Sequence, residues 1–284
     1  MPNEPQTTMS FAIDSMPVYT LTLPHRQALE QSGFTDTPLK SPGSVSIVPP
    51  FRPKLSERRA TPAKLVYRGG HLLSTVEVVT TFWGDAWKQQ PQSDLGQRIG
   101  QFFEFILSSQ LIDRLAEYGV DGQPISHGTL VGAALISMQL GAQISDAQIQ
   151  QLLQQLISNN PTFPQPAPNR LYFLYFPPNV EVASGNDRSC QQYCGYHSAM
   201  QGNIYYAVMP FPCEGGCTGG LSLLDALTSV TSHELCEAIT DPFPGQGWYD
   251  DANGEIGDIC AWQQTKVGDY TVQKEWSNQS NACL

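Results

Sequence analysis

The run His233-Glu234-Leu235-Cys236-Glu237 sets an imidazole and a carboxylate four residues apart, with a second carboxylate directly after the imidazole. On a helix, residues i and i+4 share a face one turn apart. Two ligands at that spacing hold the metal in the H-E-x-x-H helix of zinc peptidases, and the intervening Glu acts as general base. Here Glu237 stands where the second His would be. A carboxylate oxygen also coordinates zinc, but one His with two carboxylates cancels the charge of Zn2+ and leaves a bound water less acidic. A third ligand is expected downstream, where Gly247 to Cys260 carries Asp250, Asp251, Glu255 and Asp258. Glu255 lies 22 residues after His233 and Asp258 lies 25 after it. Both stay open as the third ligand, and the acid not on the metal is free to orient His233.

Blander readings exist for each piece. A His-Glu pair four apart is an ordinary solvated helix face. The turn Asp251 to Asp258, D-x-N-G-x-x-x-D, also looks like part of a calcium loop, so Ca2+ stands as an additional or alternative ion. Weaker candidates for a substrate cleft are His197, Tyr205, Tyr206 and Tyr249. Cys236 sits beside the proposed ligands among acids, which raise a thiol pKa, and reads as a buried structural residue. No G-x-S-x-G elbow supports a serine hydrolase.

These residues need elements to hold them. Ser222 to Thr240 reads as a helix: Ser222 and Asp225 form an S-x-x-D capping signal, and Pro242 disfavours helix at Asp241. Before it, Asn203 to Met209 reads as an edge-like strand to which an extended peptide could add. Upstream, strands are expected at Ser74–Phe82, Leu130–Met138 and Arg170–Phe176, and helices at Asp94–Tyr118 and Ser145–Ser158. The order strand, helix, strand, helix, strand, strand, helix is α/β (α+β). Order is expected to begin near Leu65, with residues 1–63 a Pro-rich extension or strap and 64–284 one domain.

Composition limits the partners. The 284 residues carry 15 Lys+Arg and 26 Asp+Glu, a net charge of −11. Nucleic acid and anionic membranes need clustered basic residues, so neither is expected as a partner. No apolar run approaches the ~18–20 residues of a membrane span. All seven cysteines lie between Cys190 and Cys283. Cys190, Cys194, Cys213, Cys217, Cys260 and Cys283 are the disulfide candidates, which suits an extracellular or cell-surface protein, although residues 1–24 show no signal-peptide pattern.

The run C-G-Y-H at 194–197, the strand IYYAV, the cysteines at 213 and 217, TSHELCEAITDP at 231–242 and GWYDDANGEIGDICAW at 247–262 together resemble the microbial relatives of the plant EXORDIUM (phosphate-induced protein) family. The resemblance covers about residues 64–284 and is densest after residue 170. It implies the cell exterior. For the microbial branch it implies zinc metallopeptidases of zincin-like fold, a mixed sheet with an edge strand above the active-site helix. HELCEAITD is also similar to the active helix of the thermolysin-like peptidases. That likeness implies His233 as ligand, Glu234 as base, Glu237 as ligand in place of His, and Glu255 as the later Glu, with Asp258 beside it. The expectation is a zinc-dependent hydrolase of peptide or protein substrates. Its rival is a non-catalytic extracellular binding or signalling protein with a structural metal or none.

Overall fold

The computed structural model describes residues 18–22, 46–50, 62–201, 203–214 and 216–284. Its centre is a seven-stranded mixed sheet. In chain order the strands are β1 (Val18–Thr22), β2 (Ser46–Val48), β3 (Thr75–Trp83), β4 (Ser126–Ser137), β5 (Arg170–Tyr175), β6 (Gly195–Met200) and β7 (Ile204–Met209). In space they run β1-β4-β3-β5-β7-β6-β2. Neighbours from β1 to β7 are parallel, while β6 is antiparallel to both β7 and β2. Parallel strands are covered on both faces and read as near-continuous apolar runs, as in VEVVTTFW and RLYFLY.

Side chains alternate between two cores. Val76, Val78 and Phe82 of β3 face one core with Phe173, Tyr175, Tyr205 and Ala207. Val79 and Trp83 face the other with Tyr172, Leu174, Tyr196, Tyr206 and Val208. The first core is closed by α1 (Gln92–Ile106), α2 (Gln110–Leu115) and α4 (Leu223–Thr240), the second by α3 (Asp146–Asn159). α3 starts on a capping box in which Ser145 and Gln148 satisfy each other's backbone N–H.

Two expectations need correction. The stretch 94–118 is not one helix. α1 stops at Ile106, and Ser109 starts α2 by accepting from the Leu111 N–H while donating to the Ile106 carbonyl. The strand Ile204–Met209 is not an edge either. It lies between β5 and β6, because residues 195–200 form a further strand and turn back onto it. Pieces of the first 63 residues belong to the sheet: β1 covers one edge and β2 the other. The remainder of that extension lies outside the described residues.

The cysteines pair as Cys190–Cys213, Cys194–Cys217 and Cys260–Cys283, and Cys236 is free and buried. The two C-x3-C motifs are thus cross-linked to each other, joining the entry of β6 to the loop before α4. Disulfides of this kind form in oxidising compartments. Among the described residues, no helix is long and apolar enough to cross a membrane.

Candidate functional site

α4 is buried all round: every residue from Ala226 to Thr240 is buried, as expected of a helix packed on several sides. The sheet lies against one side. The hairpin of β8 (Gln264–Val267) and β9 (Tyr270–Gln273) lies against another, tied by Thr228 Oγ1 donating to the Thr271 carbonyl and by the Gln273 N–H donating to Ser232 Oγ. Ser222 caps the N-terminus by accepting from the Asp225 N–H, and the helix ends at Thr240 before Asp241-Pro242.

This packing takes His233, Glu234 and Glu237 out of water; each is 0% exposed. His233 Nε2 lies 2.9 Å from Glu237 Oε1 and 3.9 Å from Asp258 Oδ1. Glu237 Oε1 also accepts from the Asp258 N–H at 3.1 Å. Of the two acids left open as a third ligand, Asp258 therefore stands beside His233. Glu255 goes to the other imidazole, with Oε1 3.6 Å from His197 Nε2. Two overlapping groups have the spacing to hold an ion, His233 with Glu237 and Asp258, and His197 with Glu237 and Glu255. Gly257 allows the loop to lie on His233, where a Cβ would fall 2.8 Å from the imidazole Cγ.

His197 is the residue whose weight the sequence understated. Projecting from β6, it donates through Nδ1 to Glu234 Oε2 at 3.0 Å, and its Nε2 reaches the Asp241 carbonyl at 3.2 Å. Two acceptors on one ring favour the protonated form. Burial pushes the His197 pKa down, but Glu234 and then Glu237 outweigh it, and the net shift is upward. Gly195, two residues before, lets β6 approach α4 closely: a Cβ there would lie 2.8 Å from Val230 Cγ1 and 3.1 Å from Glu234 Oε1. Glu234 Oε1 is buried and makes no hydrogen bond, while His233 Nε2 faces Glu237 Oε1.

Around these stand further acids. Burial raises the Glu234 and Asp241 carboxyls, and it lifts Asp258 to about 7 with help from Glu237. It also raises Glu275 well above the usual carboxylate range, and neither oxygen of Glu275 has a hydrogen-bond partner. Among the described residues, no Lys or Arg is in an ion pair with Glu234, Asp241, Asp258 or Glu275; His197 stands 3.0 Å from Glu234 and His233 3.9 Å from Asp258. Glu275, Gln273 and Asp241 were not singled out from the sequence. The first two come from the β8–β9 hairpin and just beyond it, with no motif spacing to mark them.

A buried set of His, Glu and Asp side chains with donor atoms within 4.8 Å of one another has the spacing for a divalent cation, and the donor types are those zinc accepts. One detail has to change for His233 to bind through Nε2. Gln273 Oε1 accepts from the Trp262 N–H at 3.0 Å, and its Nε2 donates to the Gly257 carbonyl at 2.9 Å. That orientation points the amide N–H at His233 Nδ1, 2.7 Å away, and places the ring proton on Nε2. For Nε2 to take a cation, the amide must turn so that its oxygen accepts from Nδ1–H.

The other sequence candidates fall elsewhere. Tyr206 faces the opposite core, where its hydroxyl donates to Asp146 at 2.9 Å. Tyr205 is on the α4 side but is buried between His71 and Phe243. Neither lines an open cleft, because β7 is an interior strand. Tyr249 is half-buried under the Arg68 guanidinium. The acidic turn does not gather into an oxygen cage: Asp250 is spent on the N–H groups of Lys64, Ala252 and Asn253, and Asp251 pairs with Arg68. Burial holds the Cys236 thiol far above its usual range, so it is no nucleophile.

No family model, curated protein or solved structure matches this chain. What the cluster can do is decided by its own chemistry.

Proposed function

We propose that the chain is a zinc-dependent hydrolase of peptide bonds, a zincin-like enzyme with Glu234 as general base. The observation that carries this reading is the buried group of His233, Glu237 and Asp258, whose donor atoms lie within 4.8 Å of one another, next to Glu234, whose Oε1 is buried without a hydrogen-bond partner. His233, Glu237 and Asp258 are the residues that would hold the cation. Bound there, zinc supplies a Lewis acid for the scissile carbonyl and lowers the pKa of a water.

The protein groups do the rest. Glu234 keeps Oε2 in the bond from His197, which fixes the carboxylate and leaves Oε1 to take a proton from the attacking water. As the C–N bond breaks, the same oxygen returns that proton to the leaving amine. An extended peptide would lie beside Glu234 by taking the place of β2 along β6, with main-chain hydrogen bonds supplying much of the affinity. The resemblance of residues 64–284 to the microbial EXORDIUM relatives supports the same chemistry and a place outside the cell.

Glu234→Gln tests the reading. Removing a general base costs roughly 10²–10⁴-fold in rate, so hydrolysis of a quenched-fluorescence peptide library should fall by that much while bound zinc is unchanged. Equal turnover by the variant would remove Glu234 from the role.

A further inference from the structure

The groups assigned to catalysis are closed off. His233, Glu234, Glu237 and Glu255 are all 0% exposed, and Asp258 alone of the set shows part of its side chain. A substrate reaches them only if something moves, and the strand beside Glu234 shows what lies in the way. The outer edge of β6 is already paired. β2 runs antiparallel along it, with Gly195 opposite Val48, Tyr196 opposite Ile47 and His197 opposite Ser46. The Val48 carbonyl accepts from the Cys194 N–H at 2.7 Å, and the Pro49 carbonyl accepts from Trp262 Nε1 at 2.8 Å.

Directly opposed residues of an antiparallel pair face the same side of the sheet. Val48 therefore points where a side chain on Gly195 would point, toward Val230 and Glu234 on α4. It is 1% exposed and belongs to the same core as Val230. Pro49 and Pro50 lack N–H groups and end the ladder. The segment thus makes main-chain contacts with β6, one apolar anchor and a proline stop.

We infer that residues 46–50 are a built-in ligand of this enzyme's own peptide-accepting edge, holding the site closed until they are displaced. This rests on the peptide-hydrolase reading for what is being held closed. The register also gives the class of peptide the edge takes: an extended segment with a β-branched apolar residue opposite Gly195 and a proline directly after it. Three paired residues make a short strand, and its hold comes from being part of the same chain, which gives it a high effective concentration. A competing peptide, or a cut between this strand and the domain, removes that advantage.

The test uses the full-length chain and a fluorescein-labelled peptide of residues 44–50 (SVSIVPP). Val48→Asp puts a carboxylate into an apolar position next to Glu234 and should expel the strand. Fluorescence anisotropy should show the variant binding the labelled peptide at least about tenfold more tightly than the unaltered chain, because the internal competitor is gone. Turnover of the peptide library should rise by a similar factor. Equal peptide affinity in both chains, with both folded by circular dichroism, overturns the inference. If Val48→Asp does not fold, Val48→Ala replaces it; the same direction of change supports the inference and no change overturns it. Tighter peptide binding without any hydrolysis leaves the built-in ligand standing and removes the hydrolase reading. Hydrolysis at one rate in all chains, with unchanged peptide affinity, does the reverse.

Discussion

On one face of the sheet Asp146 receives hydrogen bonds from Tyr196 Oη at 2.7 Å, Tyr206 Oη at 2.9 Å and Gln150 Nε2 at 2.7 Å. On the opposite face Glu234, Glu237, Asp241, Glu255, Asp258 and Glu275 crowd around two imidazoles, and both oxygens of Glu275 lack hydrogen-bond partners. Burial raises the pKa in both places, with the donors around Asp146 pulling it back. The Asp146 site is a finished structural device: the carboxyl sits in the first turn of α3 and joins that helix to the sheet through Tyr196 and Tyr206. The opposite cluster concentrates like charges: among the described residues no Lys or Arg pairs with Glu234, Asp258 or Glu275. Such an arrangement costs stability, and it is kept where a site must bind or react.

Substitutions should separate the two faces by the sign of their effect. Asp146→Ala leaves two buried phenols without an acceptor and removes an acid from the first turn of α3, so it should destabilise by about 2–4 kcal/mol in urea unfolding. A loss under about 0.5 kcal/mol would erase the contrast. Glu275→Gln should act the other way. A carboxyl whose folded pKa lies above its unfolded value takes up a proton on folding, so its contribution worsens as pH rises past the ordinary glutamate range. In EDTA-treated protein the variant should therefore melt above the unaltered chain at pH 8 and match it at pH 4. A lower melting temperature at pH 8 would mean that Glu275 is satisfied after all.

Smaller effects refine the contrast. Tyr206→Phe removes one of the two phenol donors while leaving Tyr196 and Gln150 on Asp146, and should cost about 1 kcal/mol without touching metal content or turnover. An effect on turnover would contradict the placement of Tyr206 on the far face. Least of all, Asp225 at the start of α4 is held below its usual pKa by hydrogen bonds from Ser222 and Thr271. A lowered carboxyl adds stability above its unfolded pKa and loses it as pH falls through the folded value. Asp225→Asn should flatten the acid limb of the melting curve slightly and leave the neutral region almost unchanged.

The contrast also explains what could be read from the chain. Helix α4, its Ser222 cap and its end before Pro242 were legible because capping chemistry and proline act locally. The pairing of His233 with Glu237 followed from helical spacing alone. What escaped were features set by long-range pairing. β6 hides in a cysteine-rich stretch, so Ile204–Met209 looked like the edge and Tyr205 and Tyr206 like cleft residues. The weight of His197 depends on that missed strand, since only β6 brings it to Glu234, across 37 residues of sequence. The break at Ser109 was masked by apolar spacing that runs through both α1 and α2.

The most direct measurement is the metal content of the full-length chain, taken by elemental mass spectrometry after zinc loading and exhaustive dialysis, with His233→Ala and Asp146→Ala alongside. The account predicts about one zinc per chain, lost in His233→Ala and retained in folded Asp146→Ala. Zinc-free unaltered protein, calcium in its place, or equal zinc in His233→Ala would contradict it and leave the acid-rich face without the ion on which the proposed chemistry depends.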